Sequence, residues 1–129
     1  MVLAPHNHPL AGKKNIPLAR LEQEPFIMRE RGSGTRMAVE RLFQEHGLVV
    51  NTRIELGSSE AVKQTILGGL GISILSQHTV AQKAAMDQLT ILDVEHFPIK
   101  RKWYVVYLAA KQPTIIARTF LEYLRNTAV

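Results

Sequence analysis

Two short turns carry residue types suited to holding an anion. Gly32-Ser33-Gly34-Thr35-Arg36 and Gly57-Ser58-Ser59 each follow a strand-like run and lead into a helical one. Successive backbone N–H groups at a helix start form a concave array of donors. The helix dipole adds partial positive charge, and the hydroxyls supply adjustable hydrogen bonds. Arg29, Arg31 and Arg36 place formal charge around the first turn. The chemistry is recognition of a carboxylate or phosphate. Plain helix capping accounts for the same residues, with Ser33 or Thr35 capping one helix and Ser58 or Ser59 the other. Neither turn is a nucleotide loop: the Gly-Lys-Ser/Thr ending is absent, and no Gly-x-Gly-x-x-Gly follows a strand with a ribose-binding acid downstream.

Other chemistries find less support. With no cysteine, the chain has no disulfide, thiolate nucleophile or cysteine-based zinc site. Ser58 and Ser59 are not in a Gly-x-Ser-x-Gly context, no Ser-x-x-Lys surrounds Ser33, and the five histidines are scattered, so no enzyme is expected. His6 and His8 sit at i and i+2 and would share a strand face. No third ligand with supporting spacing accompanies them, and a structural turn is the simpler reading. No metal or other cofactor is expected. Lys100-Arg101-Lys102 beside Trp103 and Tyr104 has the makings of a phosphate-backbone grip with stacking aromatics. A solvated strand lead-in followed by core aromatics explains it as well.

The turns need elements to position them. Phe26–Arg29 reads as a strand feeding a helix with Ala38, Val39, Leu42 and Phe43 on its apolar face; His46 sits in the last turn, and Gly47 and Leu48 close it. Asn51 to Leu56 reads as the next strand, followed by a helix with Ala61, Val62, Thr65 and Ile66 inward. Gly68, Gly69 and Gly71 break that helix before the buried run Ile72–Leu75. If the strands at 26–29 and 51–56 are parallel neighbours, their turns stand side by side at one sheet edge. Residues 79–86 predict a short helix, Leu89–Leu92 a strand, and Trp103–Leu108 the clearest strand by aromatic and β-branched content. Pro113 predicts the N1 position of a last helix with Ile116, Ala117, Phe120, Tyr123 and Leu124 apolar. The alternation predicts an α/β sheet with right-handed crossovers.

At 129 residues, 46% hydrophobic and 21% charged, the chain is one domain or a piece of one. The net charge of +5 and pI near 9.8 favour an anionic partner without choosing between nucleic acid, phosphorylated metabolite and carboxylate. No apolar run reaches the roughly 18 residues of a membrane span, and no signal-peptide pattern opens the chain, so a soluble cytoplasmic protein is expected.

Val2-Leu-Ala-Pro-x-x-His-Pro-Leu10, Glu24-Pro-Phe-Ile-Met-Arg-Glu-x-Gly-Ser-Gly-Thr-Arg36, Glu55-Leu-Gly-Ser-Ser-Glu-Ala-Val-Lys63, Gly69-Leu-Gly-Ile-Ser-Ile-Leu-Ser76 and Lys102-Trp-Tyr-Val-Val106 together resemble the effector-binding domain of LysR-type transcriptional regulators. The forms at 29–36 and 103–106 look closest to the subgroup that regulates carbon-fixation operons. The resemblance implies an α/β fold similar to type 2 periplasmic binding proteins, in which two subdomains enclose a small-molecule effector. One subdomain, from about 11 to 100, is essentially complete; residues 1–10 and 101–129 are crossover segments toward the other, which is largely missing. It implies effector contacts from Gly32, Ser33, Gly34, Thr35, Arg36, Gly57, Ser58 and Ser59 to a small anionic metabolite. It also implies DNA binding only through a winged helix-turn-helix not matched by this sequence. Homodimerisation is expected to cover the apolar surface left without its usual sheet. A free-standing solute-binding protein of the same fold is the alternative.

Overall fold

The structure, a computed structural model, describes residues 1–80, 88–102 and 104–127. Its elements run β1 (Val2–Pro5), a 3-10 helix (Leu18–Gln23), β2 (Phe26–Arg29), α1 (Gly34–Glu45), β3 (Thr52–Leu56), α2 (Ser59–Leu67), β4 (Ser73–Ile74), α3 (Gln77–Val80), β5 (Leu89–Leu92) and α4 (Ile115–Thr127).

β2 and β3 pair in parallel, with Met28 opposite Glu55 and Arg29 opposite Leu56. β1 lies antiparallel between β4 and β5. Ile72 joins the two groups: Ile27 N–H donates to its carbonyl at 2.8 Å, and its own N–H donates to the Pro25 carbonyl at 2.9 Å. The Ser73 hydroxyl adds a buried bond to the Ile27 carbonyl at 2.6 Å. The strand order is therefore β3-β2-β4-β1-β5, with only β1 reversed. The C-terminal ends of β2, β3 and β4 share one edge, where open α/β sheets present their loops.

Period-two alternation distributes the core between the two faces. Val2, Ala4, Phe26, Met28, Ile72 and Ile74 meet Val39 and Phe43 of α1, where the Phe26 and Phe43 rings stand edge to face at 5.8 Å. Leu3, Ile27, Leu75 and Leu89 meet Val62 and Ile66 of α2 on the other face. Each of these side chains other than that of Ala4 contributes about 1.5–3 kcal/mol of burial free energy. The loop 11–24 docks through Ile16, Leu18 and Leu21, while Pro17 stays exposed.

Both helices end as their sequences predict. After α1, Leu48 N–H donates to the Phe43 carbonyl and Gly47 N–H to that of Gln44, with Gly47 at φ +68°. After α2, Leu70 and Gly69 repeat the pattern on Thr65 and Ile66. These paired bonds satisfy carbonyls that the helix end would otherwise orphan. Lys63 of α2 is unexpectedly buried; its Nζ reaches Glu60 Oε2 at 2.6 Å.

Two sequence expectations are corrected, and a third falls largely outside the described residues. Residues 104–108 form no strand: they are exposed and join no ladder, because no neighbouring strand among the described residues offers one; Trp103 lies outside the described residues. Pro113 is not at N1; α4 starts at Ile115, and Thr114 caps it by accepting from Ala117 N–H at 3.2 Å. The helix expected at 79–86 is described only through α3, which starts earlier at Gln77; residues 81–87 lie outside the described residues.

Candidate functional site

Because β2 and β3 are parallel neighbours, the turns at 30–33 and 57–58 do stand side by side, and an arginine ties them together. The Arg29 guanidinium holds Glu30 through two bonds, Nε to Oε2 at 2.7 Å and Nη2 to Oε1 at 2.8 Å. Its Nη1 donates to Ser59 Oγ at 2.9 Å. Arg36 fastens the other side. Its Nη1 donates to the Arg29 carbonyl at 2.9 Å and to Glu55 Oε2 at 2.5 Å, and its Nε to Glu40 Oε1 at 2.7 Å. The guanidinium hydrogen bond from Arg36 holds the Glu55 carboxyl below the usual glutamate range, and Arg29 does the same for Glu30.

The serines cap. Ser33 Oγ accepts from Arg36 N–H at 3.5 Å and Ser58 Oγ from Ala61 N–H at 3.1 Å. Ser33, Ser58, Ser59 and Arg36 are thus all engaged within the protein, and Gly32 and Gly57 shape the exposed turns.

Thr35 is placed differently. With Ala38 and Val39 it lines a hollow of about 490 Å³ whose floor includes Ile74 and Leu75, and whose walls include Ser76, Gln77, His78, Lys100 and Arg101. Gly57, Ser58 and Ser59 are not among its lining residues; they stand one strand further out. The sequence reading did not single out Ser76, Gln77 or His78. The signal available was that a strand ending at Leu75 must open its following loop at the same edge as β2. Lys100 and Arg101, expected as a strand lead-in or a nucleic-acid grip, line the hollow instead.

His6 and His8 stand in different surroundings. His6 is exposed; His8 Nδ1 accepts from Leu10 N–H at 3.2 Å, and Nε2 lies 3.3 Å from Glu24 Oε2. Among the described residues no group of three or more potential metal ligands occurs, and no helix is long and apolar enough to cross a membrane.

Comparison with known proteins fixes the family. The LysR substrate binding domain matches residues 1–129. The HTH-type transcriptional activator CmpR of Synechocystis is 52% identical over 124 residues, which are 96% of this chain and 41% of that protein. A RuBisCO operon transcriptional regulator of Acidithiobacillus ferrooxidans is 50% identical over 124 residues, 96% of this chain and 40% of that one. The chain thus spans about two fifths of the length of these relatives. Among solved structures, the Synechocystis CcmR regulatory domain in complex with 2-PG is 58% identical with a TM-score of 0.87, covering 97% of this chain and 60% of that one. The effector-binding domain of QuiR in complex with shikimate, 21% identical with a TM-score of 0.76, shares the fold over 97% of this chain and 59% of its own. The α/β architecture is accordingly that of the periplasmic-binding-protein type 2-like effector domains. From turn chemistry to sheet order to sequence identity the lines converge: this chain belongs to the LysR substrate-binding domain family, with the RuBisCO operon regulators among its relatives.

Proposed function

We propose that this chain senses a small anionic metabolite in the hollow beside the start of α1, and that occupancy there controls transcription in the longer regulator. The observation that carries this reading is the hollow itself, with an apolar floor and a polar wall at the sheet edge where α/β folds bind ligands. The complex of the similar CcmR domain with 2-PG supports a small anion as the ligand class. The turn 32–36 supplies one wall, chiefly through Thr35. The turn 57–59 acts through Arg29, which fixes the shape of the first turn, as does Arg36.

Residues from about 11 to 100 form one subdomain of the sensor, and 1–10 and 101–129 cross toward a second. The exposure of 104–108, and an α4 that buries none of its residues, support that division. The ligand biases the relative position of the two subdomains. The protein works in the cytoplasm as a homodimer, catalyses no reaction, and reaches DNA through a separate winged helix-turn-helix. Titrating an amide NMR spectrum of the chain with 2-PG tests the site. Saturable shifts grouped at 32–36 and 76–78 are expected; a spectrum that does not respond at millimolar 2-PG overturns the reading.

A further inference from the structure

Two histidines from separate elements meet at the end of α1 opposite the hollow. His46 is the residue on which that helix closes, and His96 lies in the turn after β5. Their ring centroids stand 4.3 Å apart, with the planes tilted by 49°. Each ring is carried by a backbone anchored in the core, through Phe43 on one side and Val94 and Phe97 on the other. Both residues are exposed, so solvent reaches the pair.

The local structure prepares each ring. His46 Nδ1 lies 2.8 Å from the Leu42 carbonyl oxygen. A carbonyl oxygen only accepts, so Nδ1 carries the proton and Nε2 keeps its lone pair. A bond of this kind fixes the tautomer and orientation of an imidazole that ligates a metal. His96 takes φ +68°, a left-handed conformation that glycine adopts without steric cost. With histidine there, the turn sets a second imidazole against the first. Two imidazoles on adjacent positions of one ion, at about 2.0–2.1 Å, place their ring centres about 4.5–5 Å apart. The rings reach that spacing by a shift of roughly half an ångström, which the broad χ2 preference of histidine allows.

We propose that His46 and His96 form a binding site for one divalent ion from the end of the first transition series (copper, nickel or zinc), with water in its remaining positions. Neutral imidazole suits these ions, whereas magnesium and calcium take oxygen donors. The bound ion ties the C-terminal end of α1 to the turn that follows β5. The site is separate from the hollow and does not depend on the effector reading.

Calorimetric titration of the chain with Zn2+ and with Cu2+, and amide NMR with Cu2+, test the pair against H46Q, H96N and H6Q. Asparagine accepts a left-handed backbone, so H96N keeps the turn. The wild-type chain binds one ion saturably, paramagnetic broadening centres on 45–48 and 94–97, and the melting temperature rises with Zn2+. H46Q and H96N each weaken binding about tenfold or more, and H6Q leaves it unchanged. Unchanged affinity in either H46Q or H96N overturns the pair as a site, as does broadening centred on any other histidine. A wild-type chain that shows no saturable binding at millimolar ion overturns it as well.

Discussion

At the scale of single residues, the structure separates groups that look alike in sequence. Ser33 and Thr35 flank Gly34, yet Ser33 Oγ caps α1 while Thr35 faces the hollow. Ser33→Ala is expected to cost about 1 kcal/mol in chemical denaturation, the usual loss of a cap, and toward the lower end of the range because the bond is long. Thr35→Ala is expected to leave the denaturation midpoint nearly unchanged and to weaken 2-PG binding measured by NMR; retained affinity would remove Thr35 from the site. Gly71 presents a different constraint. Its φ is +155°, and a Cβ there would stand 2.3 Å from the Pro25 carbonyl oxygen, the acceptor for Ile72 N–H. Gly71→Ala is therefore expected to destabilise by about 2–4 kcal/mol, because the junction of β2 and β4 must open to admit a methyl group. A midpoint equal to the wild type in urea would refute that account. The caps and the glycine endings were legible because each is decided within five residues. The pairing of Arg36 with Glu55 was not, because Glu55 lies 19 residues away and meets it only once β2 and β3 have paired.

At the scale of elements, the β2-α1-β3-α2 unit was legible because hydrophobic period and turn chemistry agree at every step. The strand expected at 103–108 failed for a reason that belongs to β structure generally: aromatic and β-branched content describes a segment that fits a sheet, not one that forms without a neighbour. Ion pairs at the element ends make the unit sensitive to acid. Glu30, Glu55 and Glu60 are each held below the ordinary value of 4.5, chiefly by hydrogen bonds from Arg29, Arg36 and Lys63 respectively. A carboxyl with a depressed value in the folded chain stabilises it fully above the unfolded value, and that contribution is lost as pH falls through the folded one. Thermal melts should therefore give a melting temperature that changes little due to these groups from pH 7 to 5 and declines below pH 4.5. Glu55→Gln is expected to lower it at pH 7 and to flatten part of the acid decline. The effect is modest because these carboxylates reach solvent. A decline of identical steepness in the variant would show that the Arg36 pair contributes nothing.

At the scale of the whole molecule, the chain divides its apolar surface unequally. Residues 2–94 wrap two clusters around one five-stranded sheet, whereas α4 buries no residue and its amphipathic face stands open. Ile116 is 83% exposed, Phe120 58% and Tyr123 61%, and Val106 in the segment before α4 is 87% exposed. The sequence made that face legible as a helix stripe, but what covers it is a property of the assembly and not of local pattern. Monomeric proteins seldom present contiguous apolar patches of more than a few hundred Å². The chain by itself is therefore expected to self-associate through this face, with a mass that rises with concentration in light scattering across the micromolar range. The double substitution Ile116→Glu, Phe120→Glu should restore a monomer with an unchanged melting temperature at low concentration, since neither side chain supports the sheet core. A strict monomer over the whole range in the wild type would remove α4 as the dimerising surface. Association that survives both substitutions would place the contact on the sheet-bearing body, where β3 presents an unpaired edge to solvent.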